Sequence, residues 1–418
     1  AVEALKDLIR IRTISQEGPH SGAYAEAAQM LTRLAKDVVG LASVREVELV
    51  ERKPIVLATW EGTEPHLPRI LLNSHYDVVP VLPKHWSVDP FAAVEKEGNI
   101  YGRGVQDMKC VCVQYLAAIR RLRGAGFRPR RTVVLSFVPD EEIAGRDGMM
   151  KLLASEEWKA IEPVGLALDE GIANPGEDYT VFFGERSPWP VEIVATGPTG
   201  HGSRFIEGTA TSKLVAMCNK ALAFRREQED TLDHTGGCSH ASAKKLGDVT
   251  TVNINVLKAG VSVDGGKTFA FNTVPSEATA ILDIRVAPTL PLDEFRAVLD
   301  EWCAEEGVSW KTMEQFPEPR EHYVTSTDVE NAPWWALFTN ALQATGAGVS
   351  KEIFPAGTDS RFLRKAGLPA LGFSPMRRTP VLLHDHDERL HRDVFIEGIG
   401  AYERVIRALA GAPRFPSE

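Results

Sequence analysis

Two rhythms of apolar and polar positions alternate along the first part of the chain. Residues 69–73, 132–138 and 164–168 are short, largely apolar on both faces and bounded by polar or turn-forming residues. That pattern predicts strands of a sheet covered on both sides. In "QDMKCVCVQYLAAIRRL" the residues Met108, Val111, Cys112, Tyr115, Leu116, Ile119 and Leu122 recur three and four positions apart. This spacing predicts a helix with one buried stripe, beginning near Asp107. The first part of the chain therefore reads as α/β.

After "GERSPWP" the rhythm changes. A strand is expected over residues 191–196, a helix over 211–226, strands over 250–257 and 276–286, a helix over 292–305 and a last strand over 308–313. The order βαββαβ suits a small α+β, ferredoxin-like sandwich with its helices on one face. Residues 233–248 and 260–269 are rich in Gly and polar groups and read as surface loops. From about Pro333 the α/β character returns, with "LPALGFS" as a strand and "RLHRDVFIEGIGAYERVIRALAG" as a closing helix. The expectation is an α/β catalytic domain with a central mixed sheet, residues 1–187 and 319–418. A smaller lid and dimerisation domain, residues 188–318, interrupts it. At 418 residues the chain exceeds what one core usually serves, which agrees with two domains.

A formal net charge of −10 argues against a nucleic-acid or anionic-membrane partner. The basic stretch "RRLRGAGFRPRR" closes the predicted helix, where positive charge complements the helix dipole. Cys110, Cys112, Cys218, Cys238 and Cys303 are odd in number and lack CxxC spacing, so neither a disulfide framework nor a structural zinc site is expected. The amphipathic start "AVEALKDLIRIRTIS" has no apolar signal core, and no window has the roughly 18 apolar residues of a membrane span. The cytosol is the expected compartment.

In open α/β sheets ligands bind beyond the carboxyl ends of the strands. Three predicted strands end in groups that bind metals: "RILLNSHYD" delivers His75, "VVLSFVPDEE" delivers Glu141 and Glu142, and "VGLALDEG" delivers Asp169 and Glu170. Asp107 stands at the expected helix start, and "LLHDHDERL" adds His384 and His386 before the closing helix. An isolated DEE is usually a solvated turn and an isolated His a surface group, but their coincidence at strand ends points to a site. Imidazoles with carboxylates, without thiols, suit zinc and similar first-row metals. In extended chain His75 and Asp77 face the same side, which places Asp77 to accept the second ring N–H.

Read together, "NSHYDVVP", "YGRGVQDMK", "SFVPDEE", "ALDEGIANP", "GHGSRF", "GTDSRF" and "LLHDHDERLH" resemble, in order and over nearly the whole chain, the motifs of the aminoacylase/carboxypeptidase family of di-zinc hydrolases. The resemblance implies a zinc-dependent amidohydrolase that splits N-acyl-L-amino acids and binds two Zn2+ per subunit. His75, Asp107 and Glu170 would hold one ion and Asp107, Glu142 and His384 the other. Neighbouring side chains on an extended segment point in different directions, so Glu142 can bind metal while Glu141 acts as general base and Asp140 is an outer or capping group. The resemblance further implies that His201, contributed by the neighbouring subunit of a homodimer, stabilises the oxyanion. Arg361, assisted by Asn272, would bind the α-carboxylate. Members often carry Asn where this chain has Ser360, and Pro190 stands where a second Trp is usual. A metallo-dipeptidase or carboxypeptidase on the same scaffold, and a catalytically silent binding homologue, remain alternatives. Against the silent one, the base and all five ligand positions are intact.

Overall fold

Short runs of Val, Leu, Ile and Ala pair into an eight-stranded sheet in the computed structural model, which describes residues 1–232, 244–314, 318–416 and 418. The strands lie in the order Ser43–Val47, Ile55–Trp60, Val133–Val138, Arg69–His75, Val164–Asp169, Ala370–Gly372, Tyr179–Glu185 and Val349–Phe354. The third to sixth of these are mutually parallel, while Ile55–Trp60 runs antiparallel to both its neighbours and Tyr179–Glu185 antiparallel to Ala370–Gly372, so the sheet is mixed. Side chains alternate between its faces. Val56, Ile70, Leu72, Leu135, Phe137, Leu166 and Leu168 enter one core, shared with the helices Val2–Arg10, Lys109–Gly124 and Arg392–Ala410. Leu57, Leu71, Val134 and Ala167 enter another, with Met149, Leu152, Trp158 and Leu363. Double coverage is why these strands read as apolar on both faces.

Register brings the parallel strands to a common edge: His75 aligns with Val138, Leu72 with Leu168, and Gly372 with Asp169. Whatever follows each strand emerges at that edge.

The chain divides into two units, residues 1–184, 324–352 and 357–418 in the larger and 185–323 with 353–356 in the smaller. The pattern of the sequence put the divisions at 187/188 and 318/319. The smaller unit holds an antiparallel sheet in the order Thr251–Ala259, Glu277–Val286, Val191–Thr196, Val308–Thr312. Helices Ala210–Glu229 and Leu292–Trp302 bury Leu214, Met217, Phe295 and Leu299 against Ile193, Ala280, Leu282 and Ile284. Trp189, from the "SPWP" stretch, is fully buried there beside Phe295. A separate two-residue ribbon pairs Gly200–His201 with Thr273–Val274. Residues 233–243 of the expected loop, including Cys238, lie outside the described residues.

Two local expectations are corrected. The helix expected near Asp107 begins at Lys109, with Met108 before it; Asp107 precedes the helix, and its peptide bond to Met108 is cis. That helix is also buried nearly all round, Lys109, Cys110, Val113 and Gln114 included, because it packs into the core between the sheet and Arg392–Ala410. Cys110 and Cys112 are packing groups within it. The expected closing helix starts at Arg392, after a short strand Arg389–His391 that pairs with Asn99–Tyr101.

Candidate metal centre

The sheet edge gathers five side chains of the larger unit into two overlapping groups, His75 with Asp107 and Glu170, and Asp107 with Glu142 and His384. In each group one donor atom per residue lies within 4.8 Å of the others. Asp107 divides its carboxylate between them. Its Oδ1 is 3.1 Å from His75 Nε2 and its Oδ2 is 3.3 Å from His384 Nε2. Glu170 Oε2 lies 3.5 Å from His75 Nε2, and Glu142 Oε2 lies 2.9 Å from His384 Nε2.

Each imidazole has one nitrogen turned into the cluster. His75 Nδ1 lies 3.1 Å from the Asp77 carbonyl oxygen, to which its N–H donates, and 3.4 Å from the Asp77 carboxylate. The sequence expectation had Asp77 as the acceptor; its backbone oxygen is nearer than its carboxylate. With Nδ1 carrying the proton, Nε2 presents a lone pair. The Asp77 carboxylate instead takes Ser15 Oγ at 2.8 Å and the backbone N–H groups of Glu141 and Glu142 at 3.2 and 3.3 Å.

Those bonds join the His75 strand to the acidic stretch, which is not extended as the alternation argument supposed. Glu141–Ile143 is one tight helical turn, flanked by Asp140 and Ala144 in left-handed conformation, φ 63° and 82°. Asp140, nearly inaccessible, accepts from Tyr24 Oη at 2.7 Å and from Lys53 Nζ, so it anchors the turn from behind.

Asp169 and Glu170 were adjacent candidates, and their surroundings separate them. Both Asp169 oxygens are occupied, by Asn73 Nδ2 at 3.0 Å and by the Ser360 N–H and hydroxyl at 2.7 and 2.8 Å. Glu170 is the one facing His75. The glycine after it is required: a Cβ on Gly171 would lie 2.7 Å from the Ser374 nitrogen.

The charges fit a cation pair. Carboxylates at this separation repel by roughly 3 to 4 kcal/mol per pair at an effective dielectric of about 20. Burial, then Asp107, pushes Glu142 up to about 7, and the same two causes put Glu170 well above the usual range. Hydrogen bonds to Asp107 and Glu142 raise His384 to about 10. Although burial works the other way, His384 and His75 hold Asp107 well below its usual value. The metal-free cluster thus keeps protons where cations would relieve it. Glu142 Oε1 is buried with no hydrogen-bond partner among the described residues. Donor types and an orphaned carboxylate oxygen both suit first-row dications.

Glu141 stands beside this cluster without belonging to either group. Burial and then the Glu170 charge push its carboxyl well above the ordinary range. Arg361 lies in the short helix Ser360–Lys365 of the larger unit, its guanidinium 4.6 Å from the Phe362 ring centre. His201 and Asn272 belong to the smaller unit and meet at its ribbon, where the Gly202 N–H donates to the Asn272 carbonyl at 2.7 Å. His201 is exposed, and its Nδ1 lies 2.8 Å from Ser203 Oγ. His386 stands apart from both groups, its ring stacked on His85.

The sequence pattern assigned no role to Gln106, Ser15, Tyr24, Lys53, Asp359 or Glu388. Asp359 is fully buried, with one oxygen unpartnered among the described residues, and burial together with Asp169 raises it to about 8. No periodicity marks such residues.

With a mixed sheet, an inserted smaller unit and a doubled ligand cluster at the strand ends, the fold and site define a class. The chain belongs to Peptidase family M20/M25/M40, whose sequence profile matches residues 71–408. It is 50% identical to Aminoacylase-1 of Dictyostelium discoideum over 97% of this chain and 96% of that one, and 44% identical to Aminoacylase-1 of Homo sapiens over 100% and 97%. Among solved structures it is similar to an M20 family metallo-carboxypeptidase of Sulfolobus solfataricus, with TM-score 0.69 and 16% identity over 97% of this chain and 98% of that one. It is also similar to the Bacillus subtilis YXEP protein, a dinuclear metal binding peptidase of the same family, with TM-score 0.63 and 16% identity over 99% and 98%.

Proposed function

We propose that this protein hydrolyses N-acyl-L-amino acids to a carboxylate and a free L-amino acid, using two zinc ions held by His75, Asp107, Glu142, Glu170 and His384. The observation that carries the reading is the pair of groups sharing Asp107, in a chain 44–50% identical over nearly its whole length to proteins named Aminoacylase-1. When bound, such a pair would supply Lewis acidity and lower the pKa of a coordinated water.

The chain's own groups do the rest. Glu141 in its ionised form, made more basic by burial, takes the proton of the attacking water and returns it to the leaving amine. Asp77 holds the Glu141 and Glu142 amides and, through its carbonyl, the His75 ring. His201 of a neighbouring subunit donates to the carbonyl oxygen as negative charge builds there. The Arg361 guanidinium receives the α-carboxylate, with Asn272 assisting. On this reading the active protein is a homodimer and its compartment the cytosol; none of the described helices is long and apolar enough to cross a membrane.

Turnover of N-acetyl-L-methionine against Ala-Met tests the substrate class. Faster release of methionine from the acyl substrate is expected. A strong preference for Ala-Met would replace this reading by a dipeptidase.

A further inference from the structure

Outside the ligand set, a fully buried carboxylate and the carboxamide of Gln106 fasten two loops far apart in sequence. Glu388 takes Arg103 Nη1 at 2.8 Å and the Gly104 N–H at 3.0 Å on one oxygen. Its other oxygen takes the N–H groups of Gln106 at 2.7 Å and of Asp107 itself at 3.3 Å. Gln106 answers in the opposite sense. Its Nε2 donates to the carbonyls of Pro380 at 3.0 Å and Arg389 at 2.7 Å, and its Oε1 accepts the Leu382 N–H at 3.1 Å. Each side chain thus satisfies the backbone of the loop that carries the other. One loop leads into Asp107 and the other contains His384.

The two ligand groups depend on this clasp unequally. His75 ends the strand Arg69–His75, and Glu170 directly follows Val164–Asp169, so both are fixed by the sheet ladder. His384 is on no strand or helix, has φ 60° and leaves its side chain 54% exposed. A non-glycine residue keeps such a conformation only where its surroundings hold it there.

Resting on the reading of the cluster as a dinuclear centre, we infer that Glu388 and Gln106 are positioning residues that set the affinity of the Asp107–Glu142–His384 metal position selectively. They act by locking the His384 loop to the Asp107 loop. Glu388 belongs to neither ligand group; a charged acceptor is needed because four donors converge on it, two on each oxygen.

The test uses purified full-length protein equilibrated with zinc at buffered free concentrations, with bound metal measured by plasma mass spectrometry and folding by circular dichroism. Glu388→Gln turns an NH2 group toward the converging N–H donors, while Gln106→Met removes the answering bonds at similar volume and guards against Glu388→Gln failing to fold. At free zinc that gives the parent protein two equivalents, Gln106→Met, and Glu388→Gln if folded, should hold about one. The second equivalent should return at roughly 10- to 100-fold higher free zinc. Two equivalents in the folded variants at unchanged free zinc, or loss of both ions in step, would overturn the inference. A parent protein that takes up no zinc would remove the dinuclear reading itself, a different result from a parent that binds two and variants that match it.

Discussion

Glu141 and Glu142 are consecutive, yet Glu142 Oε2 sits 2.9 Å from His384 while Glu141 is governed by burial and the charge of Glu170. Our proposal gives them different work, and substitution separates the two. Glu141→Gln should lower kcat by roughly 10²–10⁴-fold with both metals retained, checked by turnover and metal analysis on the same sample; loss of metal would place Glu141 among the ligands. Proton linkage tests the ligands themselves. In the metal-free site Glu142 is raised to about 7 and His384 to about 10, so at neutral pH His384 is protonated and Glu142 partly so, and a bound cation must displace these protons. Zinc binding should therefore release protons, and affinity should rise with pH through this range. Calorimetry in two buffers of different ionisation heat reads the number released, and no release would contradict the assignment. The ligand candidates were legible because each is a His, Asp or Glu just beyond a recognisable strand or beside a helix. The choice between Asp169 and Glu170 was not legible from local sequence, because it turns on Asn73 and Ser360, which reach Asp169 from distant segments.

At the scale of elements, strand ends deliver the ligands and loops aim them. The turn Glu141–Ile143 is held from behind by Asp140, which accepts from Tyr24 and Lys53. Lys53→Met removes one charged donor from that buried carboxylate and should cost about 1–3 kcal/mol of stability, measurable by denaturant unfolding; an unchanged midpoint would deny the anchor. The strands were legible because burial on both faces leaves an apolar run, and the helices of the smaller unit because one face of each is wet. The start of the helix after Asp107 was misplaced: Asp107 resembles an N-terminal cap, but its amide is drawn to Glu388, nearly three hundred residues away, and the helix begins at Lys109. Side-chain bonds to distant backbone leave no periodic trace in a sequence.

For the whole molecule, the ligand cluster belongs to the larger unit, while His201 lies on, and Asn272 beside, a ribbon of the smaller one. If His201 serves a neighbouring subunit's site, mixing inactive Glu141→Gln with inactive His201→Ala protein should restore part of the activity. No recovery despite demonstrated subunit exchange would confine His201 to its own chain. The central claim is that the edge of the sheet is a dinuclear zinc centre for amide hydrolysis. Its most direct test is turnover of N-acetyl-L-methionine by chelator-stripped protein as zinc is returned. Our account predicts no turnover at the start and full activity near two equivalents per chain, whereas full turnover by the stripped protein, or zinc uptake without turnover of any N-acyl amino acid, would contradict it.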